Sequence, residues 1–162
     1  MTTVATMPRP LKGGKWVLRV LVAVDGSEGA RKAVDVTARL LEEVARPDVI
    51  LLHVLPGQRG LEYLSSSPEL WERIQNLSAE EEEEGRQLLQ RYKERLAGLP
   101  SAPELLLRRG DPAETILATA QERKVDLIVM GARGLGPVAQ LILGSVSHKV
   151  LHLASCPVLI AR

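Results

Sequence analysis

The chain has 162 residues, 45% of them hydrophobic and 25% charged, and its 21 Lys and Arg against 20 Asp and Glu give a formal net charge of +1. This composition excludes an intrinsically disordered chain and the strongly basic balance of a dedicated nucleic-acid binder, and the length suffices for one self-supporting core. The longest apolar runs fall far short of the roughly 20 residues that span a bilayer, so no membrane segment is predicted.

The first part of the chain predicts a tail followed by a βαβ unit. Residues 1–15 show no periodicity and no apolar run like that of a signal peptide, which is typical of a flexible tail, and we expect one domain over 16–162. Residues 17–24 (VLRVLVAV) and 48–55 (DVILLHVL) have the β-branched, apolar character of strands buried on both faces of a parallel sheet. Between them, apolar residues recur at three- and four-residue steps from Ala30 to Val44, which predicts an amphipathic helix.

The middle of the chain predicts a connection and then a helix. Residues 56–77 are punctuated by Gly, Pro and Ser, which favours a long mobile connection with one short helix over 69–74. Ser78 and Glu81 have the spacing of a capping box, so a longer helix is predicted to begin there. The glutamates at 80–84 would then place negative charge at the positive end of that helix.

The second half continues the alternation of strands and helices. Strands are predicted over 104–108, 126–130 and 158–161, and helices are predicted to begin at Asp111, followed by a first-turn proline, and at Ser145. Strands that alternate with helices indicate a single α/β domain with an open, Rossmann-like parallel sheet, right-handed crossovers and helices on both faces.

The segment after the fourth strand is the richest in glycine. Ligands of such sheets bind beyond the C-terminal ends of the strands, where the strand order reverses. Glycines stand at 131, 134 and 136 in this segment, and Gly144-Ser145 opens the next helix. Glycine lets a backbone approach a ligand closely, and the free N–H groups of a helix start attract anions. A phosphate-binding site is therefore predicted here.

Other motifs fit this region less well. A P-loop needs Lys and then Ser or Thr after its second glycine, but Pro137 and Val138 follow Gly136. Residues 134–139 match the dinucleotide pattern, which normally opens the first βα unit of a fold rather than a late one. His148 and His152 are four apart but lack the glutamate of the metalloprotease motif, so no metal site and no catalytic residue is predicted.

The spacing of Gly131, Gly134, Gly144 and Ser145, a glycine followed by two residues, a glycine, nine residues, a glycine and a serine, resembles the hallmark of the universal stress protein family. The segments VLVAVDGSEGARKAV, ILLHVLP, GDPAETIL, DLIVMGARGLG and GSVSHKVLHLASCPVLIAR are similar to that family as well. The resemblance covers 16–162 except for 56–77.

The resemblance implies a sheet of the adenine nucleotide alpha hydrolase type, with five parallel strands in the order 3-2-1-4-5, and a site for ATP, AMP or ADP with Mg²⁺. Ala132 stands where many members have serine. To the implied residues we add Arg133, because a guanidinium between loop glycines can reach phosphates. The implied contacts are Asp25 at the adenosine, Val54 at the adenine, Met130 and Gly131 at the ribose, and Gly134, Gly144, Ser145 and Val146 at the phosphates.

The function implied by the resemblance is a nucleotide-binding stress or signalling module. The sequence offers no positioned base, so any ATP hydrolysis is expected to be slow. Two alternatives stay open, an ATP-using synthetase of related architecture and a scaffold that binds a partner protein without nucleotide. Family members commonly dimerise through the last strand, here PVLIA, so a homodimer is expected. The lone Cys156 cannot form an intramolecular disulfide, which favours the cytoplasm.

Overall fold

Strands and helices alternate along residues 17–57, 68–134 and 143–162, which are the residues that this computed structural model describes. The strands are β1 (Leu18–Val24), β2 (Pro47–Pro56), β3 (Glu104–Gly110), β4 (Leu127–Gly131) and β5 (Val158–Ala161). The helices are α1 (Glu28–Leu41), α2 (Pro68–Arg95), α3 (Pro112–Arg123) and α4 (Ser145–Leu153).

The sheet has the order β3-β2-β1-β4-β5, and every described pair is parallel, which confirms the expected topology. β1 is central, with β2 on one side and β4 on the other. Ala23 pairs with both Leu52 and Met130, so β1, β2 and β4 end at the same edge. The strand order reverses at β1, which is where a doubly wound sheet opens a crevice.

Residues of β1 alternate between two apolar layers. Val20, Val22 and Val24 pack with side chains of α1 and α2, whereas Leu21 and Ala23 pack with side chains of α3 and α4. The four helices therefore cover both faces of the sheet. This double burial explains why the strand is apolar throughout rather than at every second position.

Helix α2 begins earlier than the sequence indicated. It runs unbroken from Pro68, so a start at Ser78 and an end of the connection at residue 77 are wrong, and residues 58–67 lie outside the described part. The glutamates at 80–84 are consequently in the helix interior and cannot complement its N-terminal dipole. Glu82 and Glu83 pair with Arg86 along the helix instead, and Glu81 pairs with Arg109 of β3.

The N-termini of α1 and α3 are capped by side chains. The Ser27 hydroxyl accepts from the N–H of Ala30 at 3.1 Å, and a carboxylate oxygen of Asp111 accepts from the N–H of Glu114 at 2.9 Å. The cap predicted at Asp111 is confirmed. Among the helices of the described residues, none has the length and apolar character needed to cross a bilayer.

Candidate functional site

A cavity of about 310 Å³ opens at the carboxyl edge of the sheet, between the ends of β1 and β4. It brings together side chains and backbone from both halves of the chain, at the point where the strand order reverses. Every residue predicted for the site lies on its wall, namely Asp25, Val54, Met130, Gly131, Arg133, Gly134, Gly144, Ser145 and Val146. Gly136, the remaining glycine of this segment, lies outside the described residues.

One side of the cavity is apolar and was only partly foreseen. Val54 and Met130 were predicted, but Ala23, Leu52 and Ile116 line it as well. The strand residues were detectable from the register, because Ala23 pairs with Leu52 and Met130. Ile116 comes from α3, whose approach to the cavity no local pattern indicates. A planar apolar group fits this side better than a charged one does.

Gly131 is held against the first turn of α1. A Cβ atom on Gly131 would lie 2.5 Å from the carbonyl carbon of Gly29 and 2.7 Å from its Cα. A Cβ atom on Gly29 would lie 2.4 Å from the carbonyl oxygen of Arg133. The helix and the loop after β4 therefore touch backbone to backbone, and Gly29 was not foreseen because its partner lies about a hundred residues away in the chain.

Gly134 lies directly against the carboxylate of Asp25. A Cβ atom at 134 would lie 2.3 Å from Asp25 Oδ2, so any side chain there would displace that carboxylate. The other oxygen, Oδ1, accepts a hydrogen bond of 3.1 Å from the N–H of Ser27. Asp25 is thus fixed between the end of β1 and the glycine loop, half-buried and facing the cavity.

Gly144 differs from these glycines because nothing in the described protein excludes a side chain there. Its φ of −72° and ψ of 162° suit any residue, and an added Cβ would have only ordinary contacts, at 3.5 Å or more. It occupies the N-cap of α4 but provides no capping side chain, unlike Ser27 at α1 and Asp111 at α3. Among the described residues no side chain caps the first-turn N–H groups of α4, which face a ligand at the cavity wall.

The start of α4 is pinned to the end of β4. The N–H of Gly144 donates to the Ala132 carbonyl at 2.8 Å. The buried hydroxyl of Ser147 lies 2.9 Å from the carbonyl oxygen of Gly131 and 3.1 Å from that of Ala132. These bonds tie the residues directly after β4 to the start of α4 without a ligand, and such preorganisation favours affinity.

His53 supports the cavity from β2. Its Nδ1 lies 2.7 Å from the carbonyl oxygen of Val24, the residue before Asp25, so Nδ1 carries the donated proton. The sequence alone shows no partner for this histidine, and the structure provides one. Gly85 of α2 lies against the same ring, since a Cβ there would be 3.1 Å from His53 Cδ2.

Weak ion pairs join the two helices beside the cavity. Lys149 of α4 lies 3.2 Å from Glu114 and 3.6 Å from Asp111 of α3, and the bond to Glu114 raises the pKa of Lys149 above its ordinary 10.5. The N–H of Glu114, aided by Lys149, lowers the pKa of the Asp111 carboxyl below 3.8. Because these groups are exposed, solvent screens the attraction, and the contacts position the helices more than they stabilise them.

The described residues offer little to a metal ion by themselves. They contain no group of three or more His, Cys, Asp and Glu side chains close enough to hold one. Asp25 is the one carboxylate among the described residues that line the cavity. A divalent cation there would need most of its ligands from a bound anion and water, which is how Mg²⁺ is usually held beside phosphates.

A parallel sheet of this order, with a glycine loop and an uncapped helix at the switch point, defines a doubly wound α/β protein of the Rossmann-like class. The sequence profile of the universal stress protein family matches residues 17–162. The chain belongs to that family.

Individual relatives agree with this assignment. The chain is 38% identical over 150 residues to universal stress protein YxiE of Bacillus subtilis, covering 89% of this chain and 98% of the relative. The solved structure of MJ0577 from Methanocaldococcus jannaschii superposes with a TM-score of 0.76 at 27% identity, covering 89% and 94% of the two chains. An Arabidopsis thaliana family member solved with AMP bound has a TM-score of 0.59 at 22% identity, covering 89% and 90%, and shares the fold.

Proposed function

We propose that this protein is an adenine-nucleotide-binding stress or signalling module. The observation that carries the proposal is the placement of the glycine loop, the uncapped start of α4 and an apolar wall around one cavity. The base of a nucleotide would pack against Val54, and its ribose would lie at Met130 and Gly131. Its phosphates would accept hydrogen bonds from the N–H groups at Gly134 and at the start of α4, with the Ser145 hydroxyl as a further donor.

ATP with Mg²⁺ is the proposed ligand, and AMP or ADP would occupy the same base and ribose positions. Gly144 supports a ligand role more strongly than the other loop glycines do. Packing among the described residues explains Gly131 and Gly134, whereas those residues leave room for a Cβ at Gly144. A missing side chain that the fold does not require is consistent with space kept for a phosphate.

Slow hydrolysis follows from the same geometry. Efficient phosphoryl transfer to water needs a group that orients or activates the water. Among the described lining residues only Asp25 could take that role, and its carboxylate is already bound to the Ser27 N–H and lies against Gly134. The module is therefore proposed to bind ATP and to hydrolyse it far more slowly than an enzyme does. The cytoplasm is its proposed location.

A calorimetric titration of nucleotide-stripped protein with AMP and with ATP, with and without Mg²⁺, tests this function. Gly144→Asp adds a cap to α4 and a negative charge where the phosphates would lie, so it should keep the fold and weaken ATP binding about tenfold or more. Gly98→Asp is the matched control, because nothing lies within 4 Å of a Cβ at Gly98. No binding by the wild type, or equal binding by both variants, would contradict the proposal.

The proposed assembly is a homodimer through the edge strand β5. The carbonyl of Pro157 accepts from the N–H of Ile128 in β4 at 3.0 Å, and that of Ala161 accepts from the N–H of Ala132, directly after β4, at 2.8 Å. Peptide groups alternate along a strand, so Val158 and Ile160 direct theirs to the open edge, where a second copy could pair. Light scattering at micromolar concentration should give twice the chain mass, and a monomeric mass would contradict the assembly.

A further inference from the structure

A second cavity, of about 510 Å³, lies beside the first one, between the first turns of α1 and the end of β5. Its wall includes Ser27, Glu28 and Gly29 on the helix side and Ala161 on the strand side. Neither the sequence patterns nor the family resemblance pointed to it. The charges on its wall differ from those of the first cavity and favour an occupant of different chemistry.

The second cavity is cationic. Lys32, Arg133 and Arg162 line it, and within the described ranges no carboxylate lies within ion-pairing distance of these side chains. Glu28 is the one acidic residue among its described lining residues, and its carboxylate is bound through both oxygens by Arg31. Arg31 also lowers the pKa of Glu28, so that carboxylate stays ionised and engaged with Arg31. The net charge at the wall favours an anion.

The two cavities have part of their walls in common. Arg133 and Gly134 line both of them. The backbone of this wall is fixed from the α1 side, because the Ser27 hydroxyl donates to the Arg133 carbonyl at 3.3 Å and Gly29 packs on the same oxygen. Gly134 contributes no side chain to this wall, but the Asp25 carboxylate lies beside it, with Oδ2 at 2.3 Å from where a Cβ would be. A ligand that places phosphates at Gly134 in the first cavity would therefore have the second cavity on the other side of Arg133 and Gly134.

We propose that the second cavity receives the distal phosphates of a nucleoside polyphosphate whose adenosine end occupies the first cavity. This inference rests on the proposed function and deepens it, since it selects ligands with three or more phosphates over AMP. Each further phosphate adds negative charge close to Lys32 and Arg162, and charge-assisted hydrogen bonds are the strong ones. The Asp25 carboxylate, beside Gly134, would repel the phosphates between the two cavities, and a divalent cation bound to the phosphates would offset that repulsion.

The test compares AMP, ATP and adenosine 5′-tetraphosphate by calorimetry on the full chain. The wild type should bind the tetraphosphate about tenfold or more tightly than AMP. Lys32→Met should reduce that ratio by about threefold or more and leave the Kd for AMP unchanged, because Lys32 lines only the second cavity. Lys93→Met removes the same charge from the last turn of α2 and should leave both constants unchanged.

The outcomes separate this inference from the proposed function. If AMP binds and the affinity does not rise with phosphate number, or if Lys32→Met weakens AMP and tetraphosphate equally, the inference is wrong while the nucleotide function stands. If inorganic tripolyphosphate binds without competing with ATP, the second cavity is an independent anion site and the spanning arrangement is refuted. If no adenine nucleotide binds, the proposed function and this inference both fail.

Discussion

The contact between α1 and the loop after β4 makes a prediction that needs no ligand. Gly131→Ala would place a Cβ atom 2.5 to 2.8 Å from three backbone atoms of Gly29. Backbone atoms cannot rotate out of the way, so the helix or the loop must move. Overpacking of this kind costs about 1–3 kcal/mol, and backbone contact on both sides places Gly131→Ala near the upper end, at about 3 kcal/mol.

The reciprocal substitution should cost less. Gly29→Ala would bring a Cβ atom to 2.4 Å from the Arg133 carbonyl oxygen, but alanine within a helix is more stable than glycine by about 1 kcal/mol. We expect a net loss of about 2 kcal/mol. Both substitutions push the same two segments apart, so the double variant should lose less than the sum of the single losses.

Urea unfolding followed by circular dichroism measures these free energies. The control is Gly98→Ala, which meets no atom within 4 Å and should be neutral or stabilising by up to about 1 kcal/mol. A loss of about 3 kcal/mol corresponds to a fall in Tm of about 6–12 °C for a chain of this size. If Gly131→Ala unfolds at the same urea concentration as Gly98→Ala, or if the losses add fully, the close contact is wrong.

Other contacts lead to further predictions. Arg109 of β3 donates to the Ser78 hydroxyl and to the Pro56 carbonyl, both at 3.1 Å, and pairs with Glu81 at 2.8 Å. Arg109→Met should therefore lower the free energy of unfolding in urea by about 1–2 kcal/mol, whereas Arg91→Met, at an exposed position, should change it little. Equal midpoints for the two variants would contradict a role of Arg109 in holding α2 against the sheet. The folded-state pKa of the Asp111 carboxyl lies below 3.8, so its charged cap stabilises fully above that pH and this stability is lost as the pH falls through the lower folded value. The gap in urea midpoint between wild type and Asp111→Ala should therefore be full at pH 6 and narrow as the pH falls below 3.8, and a gap independent of pH would refute the role of its charge. Burial raises the pKa of Cys156 above its ordinary 9.0, so alkylation by iodoacetamide should still accelerate beyond pH 9, and a plateau near pH 8 would disagree.

Local sequence patterns predicted the elements that depend on local physics. The continuous apolar run of β1 and the cap at Asp111 follow from burial and from hydrogen bonding within a few residues. The start of α2 did not follow, because Gly, Pro and Ser before Ser78 outweighed the Glu, Leu, Arg and Gln of 69–77, which are strong helix formers. Pro68 suits the first turn of a helix as well as it suits a loop.

The residues of the site were likewise predicted where local spacing indicated them and missed where their role depends on packing. The spacing of Gly131, Gly134 and Gly144 indicated the loop, and all of these residues lie on the cavity. Gly29 and Ile116 were missed because their role depends on which helix the sheet places beside them, and one sequence carries no direct record of that packing. The second cavity was missed for the same reason, since Lys32 and Arg162 come together only after the fold brings α1 and β5 side by side.

The uncapped start of α4 has an evolutionary consequence. Ser, Asp and Asn are the strongest N-cap residues, and the backbone at Gly144 accepts any of them. A laboratory selection for heat resistance alone should therefore replace this glycine, while a selection that also demands nucleotide binding should retain it. Position 144 is thus a place where stability and ligand recognition favour different amino acids, and sequencing the survivors of the two selections would show which of them has kept the glycine.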